Sequence, residues 1–207
     1  MAEEGVQVEI TAALVKELRE RTGAGMMDCK DALRASDGDL PKAVDHLRQK
    51  GMATAARRAG RQASEGQVHA YIHPGGKIGV LIEVNCESDF VAKSEPFLEL
   101  AKNLAMQVAA ANPLCLRPED VPAEVLDKER EIYAAQAREE GKPDKVAPKI
   151  VEGRVAKFYK SVCLLDQPYV RDDKLSVQDV LNEAIGKIGE KIVVKRFVRY
   201  SLGEAIA

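Results

Sequence analysis

The chain is predicted to turn between its first two helices at Arg21-Thr22-Gly23-Ala24-Gly25-Met26-Met27-Asp28-Cys29-Lys30. Two glycines in three residues end one helical pattern, and a second pattern begins at Met26. On a helical wheel Cys29 falls on the side of Met26, whereas Lys30 falls on the side of Met27. One methionine is therefore expected in the core and the other in solvent, where a polarizable side chain suits a protein contact. A methionine shielded by the rest of the chain is the alternative.

Residues 10 to 51 are predicted to form three short helices. Apolar residues recur at four-residue spacing in the first helix, and Thr11 is available as its N-cap. Asp39 can cap the third helix, and Gly51 is expected to end it. A small three-helix bundle has a thin core and often serves as a binding module. We therefore expect a partner-binding bundle over residues 1–51.

An alanine- and arginine-rich segment over residues 52–65 is predicted to be a basic linker, either helical or flexible. Its basic residues are Arg57, Arg58 and Arg61. Such a charged face is usually solvated. A contact with RNA or an acidic partner is the alternative.

The remaining residues, 66–207, are predicted to form an α+β core. Alternating apolar residues around a Pro-Gly-Gly turn predict a β-hairpin, and its apolar face needs a cover of helices. A last strand rich in β-branched residues is expected to complete a three-stranded antiparallel sheet with helices on one face. The predicted elements are a β-hairpin at 67–85, a helix at 95–111, a helical hairpin at 121–163, a helix at 177–188 and a strand at 192–201.

The composition is that of a soluble globular protein. Hydrophobic residues make up 45% of the chain and charged residues 31%, with a formal net charge of -2. The near-neutral balance argues against a nucleic-acid-binding protein, which would normally be basic. The longest apolar runs fall short of the roughly 18 residues of a membrane span. The acidic start Met1-Ala2-Glu3-Glu4 does not resemble a signal peptide, so we expect a cytoplasmic protein, most simply a bacterial one, although an organelle protein after transit-peptide removal is compatible.

Motifs that carry covalent chemistry are missing from the sequence. It contains no G-x-x-x-x-G-K-[ST] phosphate loop, no G-x-S-x-G and no H-E-x-x-H. His69 and His73 fall on one strand face without a fixed third ligand, which favours surface histidines over a metal site. The four cysteines form no C-x-x-C pair and are expected to be reduced and mostly buried. We expect neither an enzyme nor a cofactor or a metal.

The segment Asn85-Cys86-Glu87-Ser88-Asp89-Phe90-Val91-Ala92 directly follows the second strand of the predicted hairpin. Ser88 can cap a short helical turn that projects from the end of the sheet, with Asp89 and Phe90 in its first positions. From these residues alone, Phe90 is either tucked under the next helix or displayed to solvent.

Three segments, in this order, resemble the translation elongation factor Ts family. They are Leu18-Arg19-Glu20-Arg21-Thr22-Gly23-Ala24-Gly25-Met26-Met27-Asp28-Cys29-Lys30, Ser88-Asp89-Phe90-Val91 and Ile192-Val193-Val194-Lys195-Arg196-Phe197-Val198-Arg199-Tyr200. The family usually has Thr-Asp-Phe-Val in the second segment, and serine keeps the capping hydroxyl. The chain is similar to the short form of the family, without a long inserted coiled coil.

The resemblance implies a guanine-nucleotide exchange factor for elongation factor Tu, acting by binding energy without covalent chemistry. It implies that the loop Ser88, Asp89, Phe90 and Val91 disturbs the magnesium and phosphate site of the partner, with Phe90 inserted as a wedge between helices. The bundle resembles the ubiquitin-associated type.

Further contacts are implied at Arg19, Met26 and Met27, through which the bundle would grip the GTPase. In the short form of the family the C-terminal sheet region tends to self-associate, so a homodimer is a further expectation. Neither nucleic acid nor a membrane is expected as a partner.

Two other functions fit the same sequence features. An adaptor for acidic or ubiquitin-like partners would use the bundle and would leave Phe90 buried. An RNA-associated protein would use Arg57, Arg58, Arg61 and the basic last strand, and its binding would depend steeply on salt.

Overall fold

The computed structural model describes residues 9–204, which form two compact units. One unit contains residues 9–66, 85–98 and 181–193, and the other contains 67–84, 99–180 and 194–204. Residues 1–8 and 205–207, which belong to the ends of the predicted bundle and core, lie outside the described residues. The predicted division at residues 51 and 65 stays a prediction.

The secondary structure is α+β, as the sequence predicts. The α-helices are α1 (Ala12–Thr22), α2 (Met26–Ala35), α3 (Leu40–Arg58), α4 (Asp89–Ala92), α5 (Glu95–Ala111), α6 (Ala123–Glu139), α7 (Ala147–Val162) and α8 (Val177–Ile188). The strands are β1 (Glu65–Ile72), β2 (Ile78–Cys86), β3 (Pro168–Tyr169), β4 (Asp172–Ser176) and β5 (Val193–Ser201). Short 3-10 turns lie at Pro118–Asp120 and Leu164–Asp166. No helix within residues 9–204 is both long and apolar enough to cross a bilayer.

Helices α1 and α3 begin where the sequence predicts caps, and α1 ends at the predicted glycine. The Thr11 hydroxyl accepts a hydrogen bond from the Leu14 amide at 3.3 Å, and Asp39 accepts one from the Lys42 amide at 3.0 Å. Gly23 ends α1 with φ at 65°, and its amide donates to the Arg19 carbonyl. Buried residues of the three N-terminal helices and of the turn after α1 form a small core: Val15, Leu18, Ala24, Cys29, Ala32, Leu33 and Ala43.

The prediction that Gly51 ends the third helix is wrong, because α3 continues to Arg58. Gly51 is buried, and a Cβ there would lie 3.1 Å from the Asn182 carbonyl oxygen of α8. A Cβ on Gly186 would lie 2.9 Å from the Gly51 Cα. Because neither glycine has a side chain, α3 and α8 can approach each other closely. Gly51 therefore permits helix packing and does not end α3.

The second unit contains a three-stranded antiparallel sheet in the order β1-β2-β5. The apolar residues Val80, Ile82 and Val84 of β2 are buried, as predicted. Helix α5 lies against β5, where Arg199 Nε donates to the Ala109 carbonyl at 3.3 Å. Apolar side chains of this helix are buried: Phe97, Ala101, Leu104, Ala105 and Val108.

The apolar residues of β1 are not covered, contrary to the prediction. Val68 is 64% exposed and Ile72 is 66% exposed. The His73 amide donates to the Ile78 carbonyl at 2.9 Å, and this register places Ile72 against Gly79. Because side chains alternate along a strand, Ile72 lies on the face opposite to Val80.

A helical hairpin and a short β-hairpin complete the second unit. Helices α6 and α7 are joined by Arg154, which bonds Glu140 at 2.7 Å and Gln136 at 2.9 Å. Strands β3 and β4 pair antiparallel, and no pattern in the sequence predicts them. The two-residue strand β3 is too short to show the alternation that identifies a strand.

Candidate functional site: the Ser88–Val91 loop and the methionine pair

The segment after β2 folds into the single-turn helix α4. Its N-cap is Ser88, whose hydroxyl accepts a hydrogen bond from the Val91 amide at 3.3 Å. The Cys86 thiol donates to the Ser88 carbonyl at 3.1 Å. The serine therefore caps the turn, as the sequence predicts.

Phe90 is displayed to solvent, with 79% of its surface exposed. Its neighbours Val91 and Ala92 are buried. The turn is thus anchored from below by two small apolar residues while the aromatic ring points outward. An exposed phenylalanine on a well-anchored turn is an unusual surface feature and is typical of a contact with another protein.

The Glu190 carboxylate anchors the beginning of this turn. Its Oε2 accepts hydrogen bonds from the amides of Glu87 at 3.1 Å and Ser88 at 3.0 Å, and its Oε1 accepts one from the Ser88 hydroxyl at 2.6 Å. Hydrogen bonds to a charged acceptor are stronger than those between neutral groups. The Glu190 side chain thus accepts hydrogen bonds from both amides at the start of the turn, those of Glu87 and Ser88. These bonds fix the direction in which α4 leaves the strand.

A second carboxylate, that of Glu87, connects the turn to the end of α3. It accepts a hydrogen bond from the Lys191 amide at 2.6 Å, from Arg58 at 2.8 Å and from Arg61 at 3.0 Å. The Lys191 amide and then the two guanidinium groups lower the pKa of Glu87 to about 2. The Lys191 ammonium in turn donates to the carbonyls of Ala59 and Arg61.

This arrangement corrects the interpretation of the arginine-rich segment. Of the three arginines, only Arg57 matches the predicted solvated face fully. Arg58 is partly buried and bonds Glu87, and Arg61 bonds the same carboxylate while its side chain stays 56% exposed. The sequence pattern shows the charges but not their partner, which lies 26 to 29 residues further along the chain. These arginines support the turn.

Asp89 occupies the first position of α4 and is exposed, with its side chain bonded to Lys93 at 2.9 Å. The hydrogen bond and charge of Lys93 lower the pKa of Asp89, and Asp89 raises the pKa of Lys93. The pair keeps a negative charge at the start of the turn, where the helix dipole favours it. Asp89 thus stays ionised next to the exposed ring of Phe90.

Both methionines at the start of α2 are exposed, so the prediction that one of them lies in the core is wrong. Met26 is 62% exposed and Met27 is 65% exposed. Helical side chains lean toward the N-terminus of their helix, and the first two residues have no preceding turn to cover. Cys29, two residues on, is fully buried.

The implied partner-binding residues all lie in the unit that contains the bundle and the Ser88–Val91 loop. Arg19 is exposed on α1, and Met26 and Met27 follow the turn at Gly23. The loop is displayed from a helix start that Ser88 caps, and the methionine pair from the start of α2, where Gly25 occupies the N-cap position without a side-chain cap.

Sequence reasoning missed Glu87 and Glu190, the two carboxylates that position the loop. Glu190 lies 102 residues from Ser88 in the chain, so a local pattern cannot join them. The available signal is a glycine, Gly189, which ends α8 at positive φ and leaves the following acidic residue outside a regular element.

A metal centre is not formed by the residues that the structure describes, since no cluster of three histidine, cysteine or carboxylate residues occurs among positions 9–204. The ring of His73 instead meets the Tyr71 hydroxyl at 3.0 Å.

Comparisons with known proteins agree with the motifs. The model of the family described as Elongation factor TS matches residues 14–204. The elongation factor Ts of Moorella thermoacetica is 65% identical over 197 residues, which cover 95% of this chain and 97% of that protein. That of Desulfosudis oleivorans is 60% identical over 94% of this chain and 98% of its own. For Desulforamulus reducens the identity is 61% over 96% of this chain and 91% of the relative. The chain belongs to the elongation factor Ts family.

Proposed function

We propose that this protein is a guanine-nucleotide exchange factor that promotes GDP release from elongation factor Tu in the bacterial cytoplasm. Membership of the elongation factor Ts family over nearly the whole chain supports this function. The observation that carries the mechanism is the exposed Phe90 on a turn anchored by Glu190 and Glu87.

Exchange of this kind requires binding energy and no covalent step. The factor binds the nucleotide-free GTPase more tightly than the nucleotide-bound form, and by linkage it weakens the nucleotide by the same ratio. GTPases hold their nucleotide through phosphate-loop amides, a lysine and a magnesium ion. Each charge-assisted contact is worth roughly 1.5–3 kcal/mol, so displacement of two or three of them accelerates release by orders of magnitude.

Phe90 is the group that delivers this displacement in our proposal. Burying its exposed ring between helices of the partner contributes roughly 2 kcal/mol. The ring can displace the nucleotide-binding groups of the partner only if the backbone that carries it is rigid. The hydrogen bonds from Ser88 to Glu190 support this stiffness, and Asp89 would act as the polar neighbour of the ring.

The methionine pair and Arg19 form the second part of the proposed contact. Met26 and Met27 present flexible apolar side chains that fit an irregular protein surface, and Arg19 adds a cation on the preceding helix. These residues would supply affinity for the GTPase whether or not nucleotide is bound. The loop would supply the difference in affinity between the two states.

Release of a fluorescent GDP analogue from elongation factor Tu tests this function. The analogue is preloaded, and excess GDP is added with or without catalytic amounts of this protein. We expect a large acceleration that saturates with factor concentration. Release at the unassisted rate over the whole concentration range would contradict the proposal.

Two observations weigh against the rival functions. The adaptor requires Phe90 to be buried, whereas the ring is exposed. An RNA-associated protein would have to bind phosphates mainly through exposed Arg57 and the last strand, because Arg58 and Arg61 bond Glu87, and a steep salt dependence of RNA binding would support it.

We also propose that two copies of the chain associate through the outer face of the sheet. Exposed apolar residues on that face support this: Val68, Ile72, Leu81, Val198 and Tyr200. An uncovered apolar sheet face is a common site of association. Sedimentation equilibrium tests the proposal, with a dimer expected for the native chain and a monomer for Ile72→Lys. A native chain that is monomeric at all concentrations would contradict it.

A further inference from the structure

Cys115 and Cys163 lie side by side in the second unit, although 48 residues separate them in the chain. Their Sγ atoms are 3.7 Å apart. The Cys115 amide donates to the Val162 carbonyl at 3.3 Å, and the Leu164 amide donates to the Cys115 carbonyl at 2.9 Å. These bonds make Cys115 and Cys163 directly paired residues of a short parallel bridge.

This pairing has the geometry that a disulfide needs. Neighbouring strands lie about 4.8 Å apart, and this separation falls within the range of Cα distances that disulfides span. Both thiols already meet on one side of the bridge. Formation of the S–S bond therefore requires rotation of side chains and a small approach of the sulfur atoms, without a change in backbone pairing.

We infer that Cys115 and Cys163 form a dithiol site that a low-molecular-weight disulfide oxidises to an intramolecular cystine. Closing this bond clamps the base of the helical hairpin formed by α6 and α7, since both helices lie between the two cysteines. The other cysteines, Cys29 and Cys86, belong to the first unit and take no part.

The reaction proceeds by two thiol–disulfide exchanges. The Cys115 thiolate attacks one sulfur of the small disulfide, forming a mixed disulfide and releasing the first small thiol. The Cys163 thiolate then attacks the Cys115 sulfur, forming the protein disulfide and releasing the second. Two protein thiols are oxidised and one small disulfide is reduced to two thiols, so electrons and protons balance.

Access and burial decide which thiol reacts first. Cys115 is half-buried, whereas Cys163 is fully buried. Desolvation raises the pKa of Cys115 and, together with the neighbouring Cys115 thiol, raises that of Cys163 to about 12. Few thiolates therefore exist at neutral pH, and the pair stays reduced until the oxidant is abundant or the pH is alkaline.

The position of the pair gives the bond a structural consequence. Backbone hydrogen bonds hold the junction, including Leu114 to Val162 at 2.8 Å and Leu165 to Leu116 at 3.1 Å, and the Gln167 side chain donates to the Ala111 and Ser161 carbonyls. A disulfide across it closes a long loop and restricts the unfolded chain. The oxidised protein should therefore unfold at a higher denaturant concentration than the reduced protein.

Oxidised glutathione is a suitable probe for the full chain. The reduced protein is incubated with it at alkaline pH, remaining thiols are alkylated, and peptides are mapped by mass spectrometry. We expect a loss of two thiols, a mass lower by two hydrogens, and a cross-linked peptide containing Cys115 and Cys163. Dithiothreitol should reverse the change, and the rate should rise about tenfold per pH unit below the thiol pKa.

Two variants separate the steps. Cys163→Ser should stop at a stable glutathione adduct on Cys115, whereas the double variant Cys29→Ser, Cys86→Ser should oxidise like the native chain. If Cys163→Ser fails to fold, peptide mapping of the native chain still decides the question. Glutathione adducts without a cross-link, or a cross-link that includes Cys29 or Cys86, would overturn the inference.

Discussion

Ser88 and Glu190 are joined by two hydrogen bonds to the two oxygens of one carboxylate, at 3.0 Å from the serine amide and 2.6 Å from its hydroxyl. The same hydroxyl accepts from the Val91 amide. The serine thus transmits the position of Glu190 to the first turn of α4. Phe90 lies in that turn, so the orientation of its ring depends on Glu190, which is 102 residues from Ser88 in the chain.

Replacement of Glu190 by alanine should lower the exchange rate by roughly tenfold or more, since it removes three hydrogen bonds to a charged acceptor. Glu190→Gln keeps the shape and one acceptor oxygen, and an intermediate rate is expected. GDP release at saturating factor measures the effect.

Glu152→Ala is the matched control, because Glu152 is an exposed glutamate of the second unit that pairs with Arg130. It should exchange at the native rate. If Glu190→Ala also exchanged at that rate while remaining folded, the anchoring role of Glu190 would be wrong.

Low pH should lower the stability of the first unit, because it protonates Glu87. The folded-state pKa is about 2, below the ordinary value of 4.5, so the unfolded chain binds more protons between these values. The contribution of Glu87 to stability is therefore present above pH 4.5 and is lost as the pH falls toward 2. The difference in urea midpoint between the native chain and Glu87→Gln should shrink over this interval.

The contrary result for Glu87 is a difference in urea midpoint that stays constant from neutral pH down to about pH 3. It would mean that the hydrogen bonds from Lys191, Arg58 and Arg61 do not stabilise the ionised carboxylate.

Close packing between α3 and α8 should make Gly186 intolerant of a side chain. An added Cβ would lie 2.9 Å from the Gly51 Cα, and overpacking of this kind costs about 1–3 kcal/mol. Gly186→Ala should lower the free energy of unfolding by this amount in a denaturant titration.

Gly153→Ala supplies the control for helix propensity. Gly153 lies within α7, and an added Cβ would meet no atom within 4 Å. Alanine should stabilise the chain there by about 0.5–1 kcal/mol. Equal effects of the two substitutions would show that the helices separate easily.

The methionine pair should contribute to affinity for elongation factor Tu and not to folding. Met26→Ala with Met27→Ala should weaken the complex roughly tenfold or more, as expected for exposed residues that become buried at an interface. Isothermal titration with the nucleotide-free GTPase measures it. Met52→Ala, an exposed methionine of α3, is the control. Equal losses for the pair and the control would remove the evidence for a specific contact.

The sequence predicts most of the fold because strong local signals specify its elements. The caps at Thr11 and Asp39 and the apolar spacing of α5 are local, and α5 is observed over the predicted range of 95–111. Gly51 shows where this reasoning fails, since the same residue can end a helix or admit a neighbouring one. The close approach of α8 decides between them, and residues near Gly51 carry no sign of it.

The sequence likewise predicts some residues of the candidate site and not others. Phe90 and Ser88 can be found from the sequence, because a motif and a capping pattern mark them. The sequence alone leaves the exposure of Phe90 open, and it conceals Glu87 and Glu190, whose partners come from distant segments. The side chains of Met26 and Met27 are exposed because they are the first two residues of α2. A helical wheel does not predict burial at this position, since no preceding turn lies beneath these side chains.

The role of Phe90 is tested most directly by comparing exchange and binding for Phe90→Ala. The ring is exposed, so its removal should leave the unfolding midpoint unchanged, and Val91→Ala, which truncates a buried neighbour, serves as the folding control. GDP release from elongation factor Tu and affinity for both the nucleotide-free and the GDP-bound GTPase are measured on the same preparations. Phe90→Ala should slow release and weaken affinity for the nucleotide-free GTPase by roughly tenfold or more, while affinity for the GDP-bound form changes much less. Equal losses of affinity for the two forms would contradict the wedge.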